Sequence, residues 1–411
     1  MSSSSTGRVT RRKVFYLPGY DPIAPRKYRE IYRREAVEQA RISGYDIALT
    51  AGPGGSGRYG WSVQACMDGA EVRSEIEVLV WSDIVKASLS RSVPAAYAQL
   101  LRTAWIYVTS GAFGPLMRLR KGPMIAAHYA VAMLVLYLLA AGLAGWAMGG
   151  VAARVLPPLG GGNVGLAWGI GLVSGWMVLR MARRADNRTF AFYLMHEFAY
   201  SAAGRGEIPH DLSDRLAQFS DRIAEALESE VDEVLLVGHS AGAHLGVILL
   251  ADLLQSGRVR AQGPVLGFLS LGQVIPMISF LPRATRLRRA LHELSQSDAL
   301  SWVDVTAPGD GCAYALCDPV AVSGVASPGK RWPLIVSAAF SQTLSPDRWA
   351  ALRWRFYRLH FQYLHAFDRP GDYDYFRLTA GPLTLGARYA GRAPSKSRVE
   401  ATFSRHTSVA A

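Results

Sequence analysis

The sequence predicts an α/β protein: a mostly parallel sheet with helices on both faces, plus an inserted two-helix transmembrane hairpin. Three observations carry this. Short apolar runs alternate with amphipathic stretches, the rhythm of parallel strands joined by covering helices. Met124 to Ala153 contain no Asp, Glu, Lys or Arg. An apolar run also leads directly into Gly238-His-Ser-Ala-Gly242 and then into a helix-forming segment.

Composition narrows the class. The chain has 411 residues, half of them hydrophobic, and a mean hydropathy of +0.11. A chain this apolar buries a core large enough to offset its ordering entropy, so disorder is excluded. The formal charge is +13, from 45 basic and 32 acidic residues, and only six of the basic residues are Lys. No basic-aromatic motif or helix-turn-helix pattern accompanies that charge, so no nucleic acid is expected. An anionic membrane surface is the expected partner. Cys66, Cys312 and Cys317 form no disulfide framework.

Taken in order, MSSSSTGRVTRRK reads as a polar tail, and the run Val14–Leu17 is too short for a signal-peptide core. Val14–Leu17 is instead a buried strand ending at Pro18-Gly19, followed by a helix from Pro25 to Ser43. Partial alternation predicts strands at Ile47–Thr50, Tyr59–Cys66 and Glu75–Trp81. Gly52-Pro-Gly-Gly-Ser-Gly57 lacks the Gly-Lys-Ser/Thr ending of a phosphate loop and reads as a turn. Ala87 to Phe113, rich in Tyr, Trp and Leu with few charges, reads as an interfacial helix.

The uncharged run Met124–Ala153 exceeds the roughly 20 residues that a spanning helix needs. A second run, Val164–Leu179, follows a Pro- and Gly-rich link, Arg154–Asn163. Gly145/Gly149, Gly165/Gly169 and Gly171/Gly175 are small-xxx-small pairs suited to close helix packing. Arg118, Arg120 and Lys121 precede the hairpin, and Arg180, Arg183, Arg184 and Arg188 follow it, against Arg154 between the spans. That asymmetry predicts a multi-pass membrane protein with both ends, and the bulk of the chain, on the cytoplasmic face.

Beyond the hairpin, Phe190–Tyr200 and the amphipathic Leu212–Leu227 read as helices. Glu233–Val237 is a buried strand and Ala243–Leu254 a helix; Val265–Leu271, Trp302–Thr306 and Leu334–Ala339 supply further strands. The apolar Val274–Leu281, followed by Arg283, Arg286, Arg288 and Arg289, suits a lid or surface helix on anionic headgroups. The expected organisation is a flexible tail (1–12), a first part of the α/β domain with the interfacial helix (13–118), the hairpin (119–188), a second part with the Gly-x-Ser-x-Gly turn (189–390), and a polar tail (391–411).

Ser240 is the candidate nucleophile. A Ser on a sharp strand-to-helix turn is held in a strained conformation, and small residues two positions either side relieve the crowding. The helix N-terminus behind it favours developing negative charge.

VLLVGHSAGAHLG resembles the nucleophile segment of the α/β-hydrolase superfamily, especially its lipase and esterase branch. FYLPGY (Phe15–Tyr20) resembles that family's oxyanion strand, with Pro18 where a His is usual. The likeness covers roughly residues 13–82 and 210–380, split by the hairpin. It implies the chain order Ser, acid, His. Asp310, in the turn after the strand Trp302–Thr306, is then the candidate acid, with Asp304 and Asp318 as rivals. His360 is the candidate base, since His360-Phe-Gln-Tyr363 is similar to the His-x-x-Tyr of several lipases; His365 stays open, and His406 lies in the polar tail. His239 and His244 read as packing or hydrogen-bonding residues beside the turn.

The implied function is a membrane-anchored serine hydrolase cleaving a lipid or acyl ester through Ser240, Asp310 and His360, with the backbone N–H groups of Tyr20 and Ala241 as oxyanion hole. No cofactor or metal is expected, since no His-Glu-x-x-His or Cys-x-x-Cys occurs. Two alternatives share the fold: a non-catalytic membrane scaffold or binding protein, and an acyltransferase using the same triad.

Overall fold

The computed structural model describes residues 7–51, 58–89, 92–156, 162–260 and 262–410. The expected turn at Gly52–Gly57 and most of the link between the spans lie outside these residues. The chain forms two units: residues 1–86, 110–123 and 204–411 make one, and residues 87–109 and 124–203 the other.

The first unit is built on eight strands: β1 Arg11–Leu17, β2 Asp46–Ala51, β3 Tyr59–Met67, β4 Ala70–Val78, β5 Glu233–His239, β6 Val265–Leu271, β7 Leu300–Thr306 and β8 Leu334–Ser337. Their order is β2-β3-β4-β1-β5-β6-β7-β8. β3 pairs antiparallel with both β2 and β4, and every other pairing is parallel, so β3 runs against the rest. β5 is buried at all seven positions, as a central parallel strand covered on both faces must be. On one face, Val14, Tyr16, Leu235, Val237, Leu269 and Val305 join a core with Tyr32, Phe376 and Tyr363. On the other, Leu236 and Phe268 meet Gly246 of the helix Ala241–Gln255 so closely that a Cβ there would lie 2.8 Å from the Phe268 ring.

The flexible tail expected over residues 1–12 is corrected in its described part. Residues 7–12 belong to the fold: Val9 N–H donates to Pro382 O (2.9 Å), and Arg11 and Arg12 already lie in β1. Residues 391–410 are likewise fixed by backbone bonds, among them Ser395 N to Ile335 O and Val399 N to Leu316 O. The lid reading of Val274–Arg289 is also corrected. Ile275, Ile278, Phe280 and Leu281 are buried, and the Arg288 guanidinium, 1% exposed, donates to the carbonyls of Ser279, Leu281, Pro282 and Ser408. Arg286 pairs with Asp252, and Arg289 donates to Val409 O. The apolar run is core, and Arg288 and Arg289 fasten the C-terminal segment.

The second unit is helical. Lys121–Val155 and Gly162–Arg184 are the two long helices, and both are long and apolar enough to cross a membrane. Only 11% of each apolar window is buried, unlike the core helix of a soluble domain. Gly145, Gly149, Gly171 and Gly175 form their contact: a Cβ at Gly145 would lie 2.8 Å from Gly171 O, and one at Gly175 2.9 Å from Ala141 O. Gly165 and Gly169 face no such neighbour, so that pair is not part of the contact. The predicted interfacial segments join this unit as the helices Val93–Thr109 and Ala191–Ala203, where Ala96, Leu100, Leu134, Phe192 and Met195 cluster.

Candidate active site

β5 ends at His239 and the helix Ala241–Gln255 starts immediately, which leaves Ser240 to make the whole turn. Its backbone sits at φ 56°, ψ −121°, a conformation that costs a non-glycine residue about 1–3 kcal/mol. The turn is held by Ser240 N donating to Leu271 O (2.9 Å) and Ala243 N to Ser240 O (3.0 Å). The Ser240 side chain makes no capping bond to the helix. The flanking glycines are sterically required. A Cβ at Gly242 would lie 2.1 Å from Leu17 O, and one at Gly238 2.7 Å from Gly242 O.

β1 neighbours β5, which brings the loop after β1 to the same place. A Cβ on Gly19 would lie 2.9 Å from Ser240 Cβ and 3.4 Å from Ala241 N. Trp81 Nε1 donates to Pro18 O (2.9 Å), and the Tyr20 ring packs edge-on against Trp81. Tyr20 and Ala241 therefore stand on the two backbone segments that meet at Ser240. Asp21 accepts from Ile23 N and Tyr28 Oη, and burial raises its carboxyl to about 6.

Asp310 and His360 are brought together. Asp310 lies just past β7, and His360 ends the short helix Phe356–His360. His360 Nδ1 is 2.8 Å from Asp310 Oδ2. The other contacts of the carboxylate are Cys312 N on Oδ1 (2.9 Å) and the Tyr363 hydroxyl on Oδ2 (3.0 Å). Burial pushes the Asp310 carboxyl up, but the charge and hydrogen bond of His360, then Cys312 and Tyr363, hold it below its usual range.

His239 ties His360 to the turn. Its Nε2 lies 3.0 Å from the carbonyl oxygen of His360, so that nitrogen carries the proton, and the two rings stand 4.9 Å apart. Burial, then the charge of His360, lowers His239 to about 3, which keeps it neutral. Gly272, at φ 54° directly after Leu271, makes room for the base: a Cβ there would lie 3.1 Å from His360 Cε1.

The rival residues lie elsewhere. Asp304, fully buried in β7, accepts from Ser270 Oγ (2.6 Å), and burial raises it to about 8. Asp318 caps the helix Pro319–Val322 and faces Lys330. His365 Nδ1 contacts Phe361 O, and His406 Nε2 contacts Ser110 O. His244 is enclosed in its helix, where burial lowers it to about 3.

Three contributors escape the sequence reading: the Tyr363 hydroxyl, the Cys312 N–H and Gly272. The spacing His360-Phe-Gln-Tyr363 holds a signal for the first, and no local signal exists for the other two. Asp310, Cys312 and His360 also bring one donor atom each within 4.8 Å of one another, a spread compatible with three metal ligands. Two of those three are engaged to each other by the 2.8 Å bond. Within the first unit Gly122 packs on the loop that holds Asp310; a Cβ there would lie 3.0 Å from Gly311 O.

Comparison with protein-family models, curated proteins and solved structures finds no match to this chain.

Proposed function

We propose that this chain is a membrane-anchored serine hydrolase of the α/β-hydrolase type that cleaves carboxylic esters of lipid or acyl substrates. The observation that carries the reading is Ser240 held at positive φ directly after His239, whose Nε2 contacts the His360 carbonyl, with His360 in turn paired with Asp310. Ser240 Oγ attacks the acyl carbonyl while His360 Nε2 takes its proton. Asp310 holds the opposite ring nitrogen and stabilises the imidazolium. The N–H groups of Ala241 and Tyr20 receive the oxyanion, at about 3–4 kcal/mol for each donor. His360 then protonates the leaving alkoxide, and a water activated by the same base releases the acid.

The hairpin places this chemistry at a bilayer. Support comes from the two poorly buried apolar helices and from the basic residues at their ends, Arg118, Arg120 and Lys121 before and Arg180, Arg183 and Arg184 after. By the positive-inside bias both chain ends are cytoplasmic.

The test is turnover of a soluble short-chain nitrophenyl ester, and of a long-chain ester in vesicles, by the purified full chain. Ser240→Ala is expected to lower kcat by several orders of magnitude with folding intact. Unchanged turnover in that variant overturns the proposal.

A further inference from the structure

The helical unit contains a cavity with a few convergent polar groups that the ester chemistry does not use. Its volume is about 180 Å³, and Gln99, Arg102, Thr103, His196 and Tyr200 are among the residues that line it. All of them lie on the helices Val93–Thr109 and Ala191–Ala203.

The chemistry of its wall is specific. His196 is 4% exposed, and its Nδ1 lies 2.8 Å from Gln99 Oε1. With the amide oxygen facing it, Nδ1 carries the proton and Nε2 presents a lone pair. Nε2 is buried and has no hydrogen-bond partner among the described residues. Burial, then the nearby charge of Arg183, lowers the His196 imidazole to about 4, so the ring is neutral at physiological pH. A buried acceptor of this kind calls for a donor. Arg102 is exposed at the cavity, held by one bond to Ala203 O (3.3 Å), with guanidinium donors left for an anion.

The cavity also lies near the end of the second candidate span. Arg183, whose charge reaches His196, is in the last turn of the second long helix, and its guanidinium lies 5.6 Å from the Phe192 ring. Arg residues at the end of a span mark the headgroup region.

We propose that this cavity binds an anionic, hydroxyl-bearing phosphodiester headgroup of the phosphoglycerol class, its phosphate on Arg102 and a hydroxyl donating to His196 Nε2. The site rests on the membrane reading of the hairpin and not on the hydrolase reading. Phosphatidylcholine lacks a hydroxyl or N–H donor and carries no net charge. Phosphatidylmethanol carries the charge and lacks the hydroxyl. Together with phosphatidylglycerol they separate the two contacts.

The detergent-solubilised full chain is titrated with dihexanoyl forms of the three lipids and with glycerol 3-phosphate, and affinities are read by native mass spectrometry. Phosphatidylglycerol is expected to bind about tenfold more tightly than phosphatidylmethanol, and that lipid more tightly than phosphatidylcholine. His196→Phe should abolish the first preference, and Arg102→Gln, at an exposed position, the second. Glycerol 3-phosphate binding as tightly as phosphatidylglycerol would keep the chemistry and assign a soluble ligand as its source. Equal affinities for all three lipids, or preferences unchanged in both variants, overturn the proposal. Ester hydrolysis by Ser240 has no bearing on either outcome.

Discussion

Replacing Tyr363 by Phe removes one oxygen from a fully buried ring and tests the support of the acid. The hydroxyl donates to Asp310 Oδ2 at 3.0 Å and accepts from Ala307 N at 3.0 Å. A hydrogen bond to a charged group contributes about 1.5–3 kcal/mol, and an orphaned buried N–H costs about 1–3 kcal/mol. The two losses share one atom and do not add fully, so a destabilisation of about 3 kcal/mol is expected. The substitution also withdraws one of the bonds that hold the Asp310 carboxyl low. The carboxyl then rises, and its less solvated charge pulls harder on the imidazolium of His360. The acid limb of kcat/KM for a soluble ester should therefore move to higher pH. Tryptophan-monitored thermal unfolding in detergent and the pH–rate profile measure the two effects. An unchanged Tm together with an unchanged acid limb would refute the assignment of Tyr363 as the residue that positions the acid.

Further outcomes follow from the same geometry. Asp310 is held below the usual carboxylate range, so the stability it contributes is present above that range and is lost as pH falls; Asp310→Asn should flatten the acid side of a Tm-against-pH curve and abolish turnover. Asp304 is raised to about 8 by burial, so the folded state favours its protonated form and loses stability as pH climbs from about 4 to 8. Asp304→Asn should raise Tm at pH 8 and leave turnover near normal, whereas loss of turnover would return Asp304 to contention as the acid. Gly242→Ala would set a Cβ 2.1 Å from Leu17 O and should cost about 3 kcal/mol or more, read as a lowered Tm; wild-type Tm would contradict the crowding argument. A reporter fused after Ala411 should be active only as a cytoplasmic reporter, and one inserted at residues 157–161 only as an external one; the reverse pattern overturns the orientation.

The strand-turn-helix at Ser240 was legible because all its determinants are local: apolar β5, small residues at 238 and 242, and a helix former behind. The strands β5 to β8 were legible as apolar runs for the same reason, whereas their order in the sheet was not. The choice of Asp310 over Asp304 was harder, since one lies within β7 and the other just past it, and only the sheet shows which carboxylate emerges at its end. His360 and His365 differ by a register that depends on a turn of 3-10 helix, Gln362–Leu364, which periodicity does not reveal. The misreading of Val274–Arg289 has a plain cause. An apolar run followed by four arginines looks the same in sequence whether it rests on headgroups or is buried. Only the carbonyls of Ser279, Leu281 and Pro282, turned back onto Arg288, and that of the distant Ser408 explain how Arg288 sits inside the core. Gly272 and Cys312 left no local trace, because their value comes from what approaches them.

The central claim is that Ser240 is an activated nucleophile. Its most direct measurement is labelling of the full-length, detergent-solubilised chain with a fluorophosphonate probe, followed by mass spectrometry of the modified peptide. The account predicts one adduct, on Ser240, formed rapidly by the wild-type chain, slowly by His360→Ala, and absent in Ser240→Ala. A well-folded wild-type chain that takes no label at Ser240, or labels equally fast without His360, would contradict it.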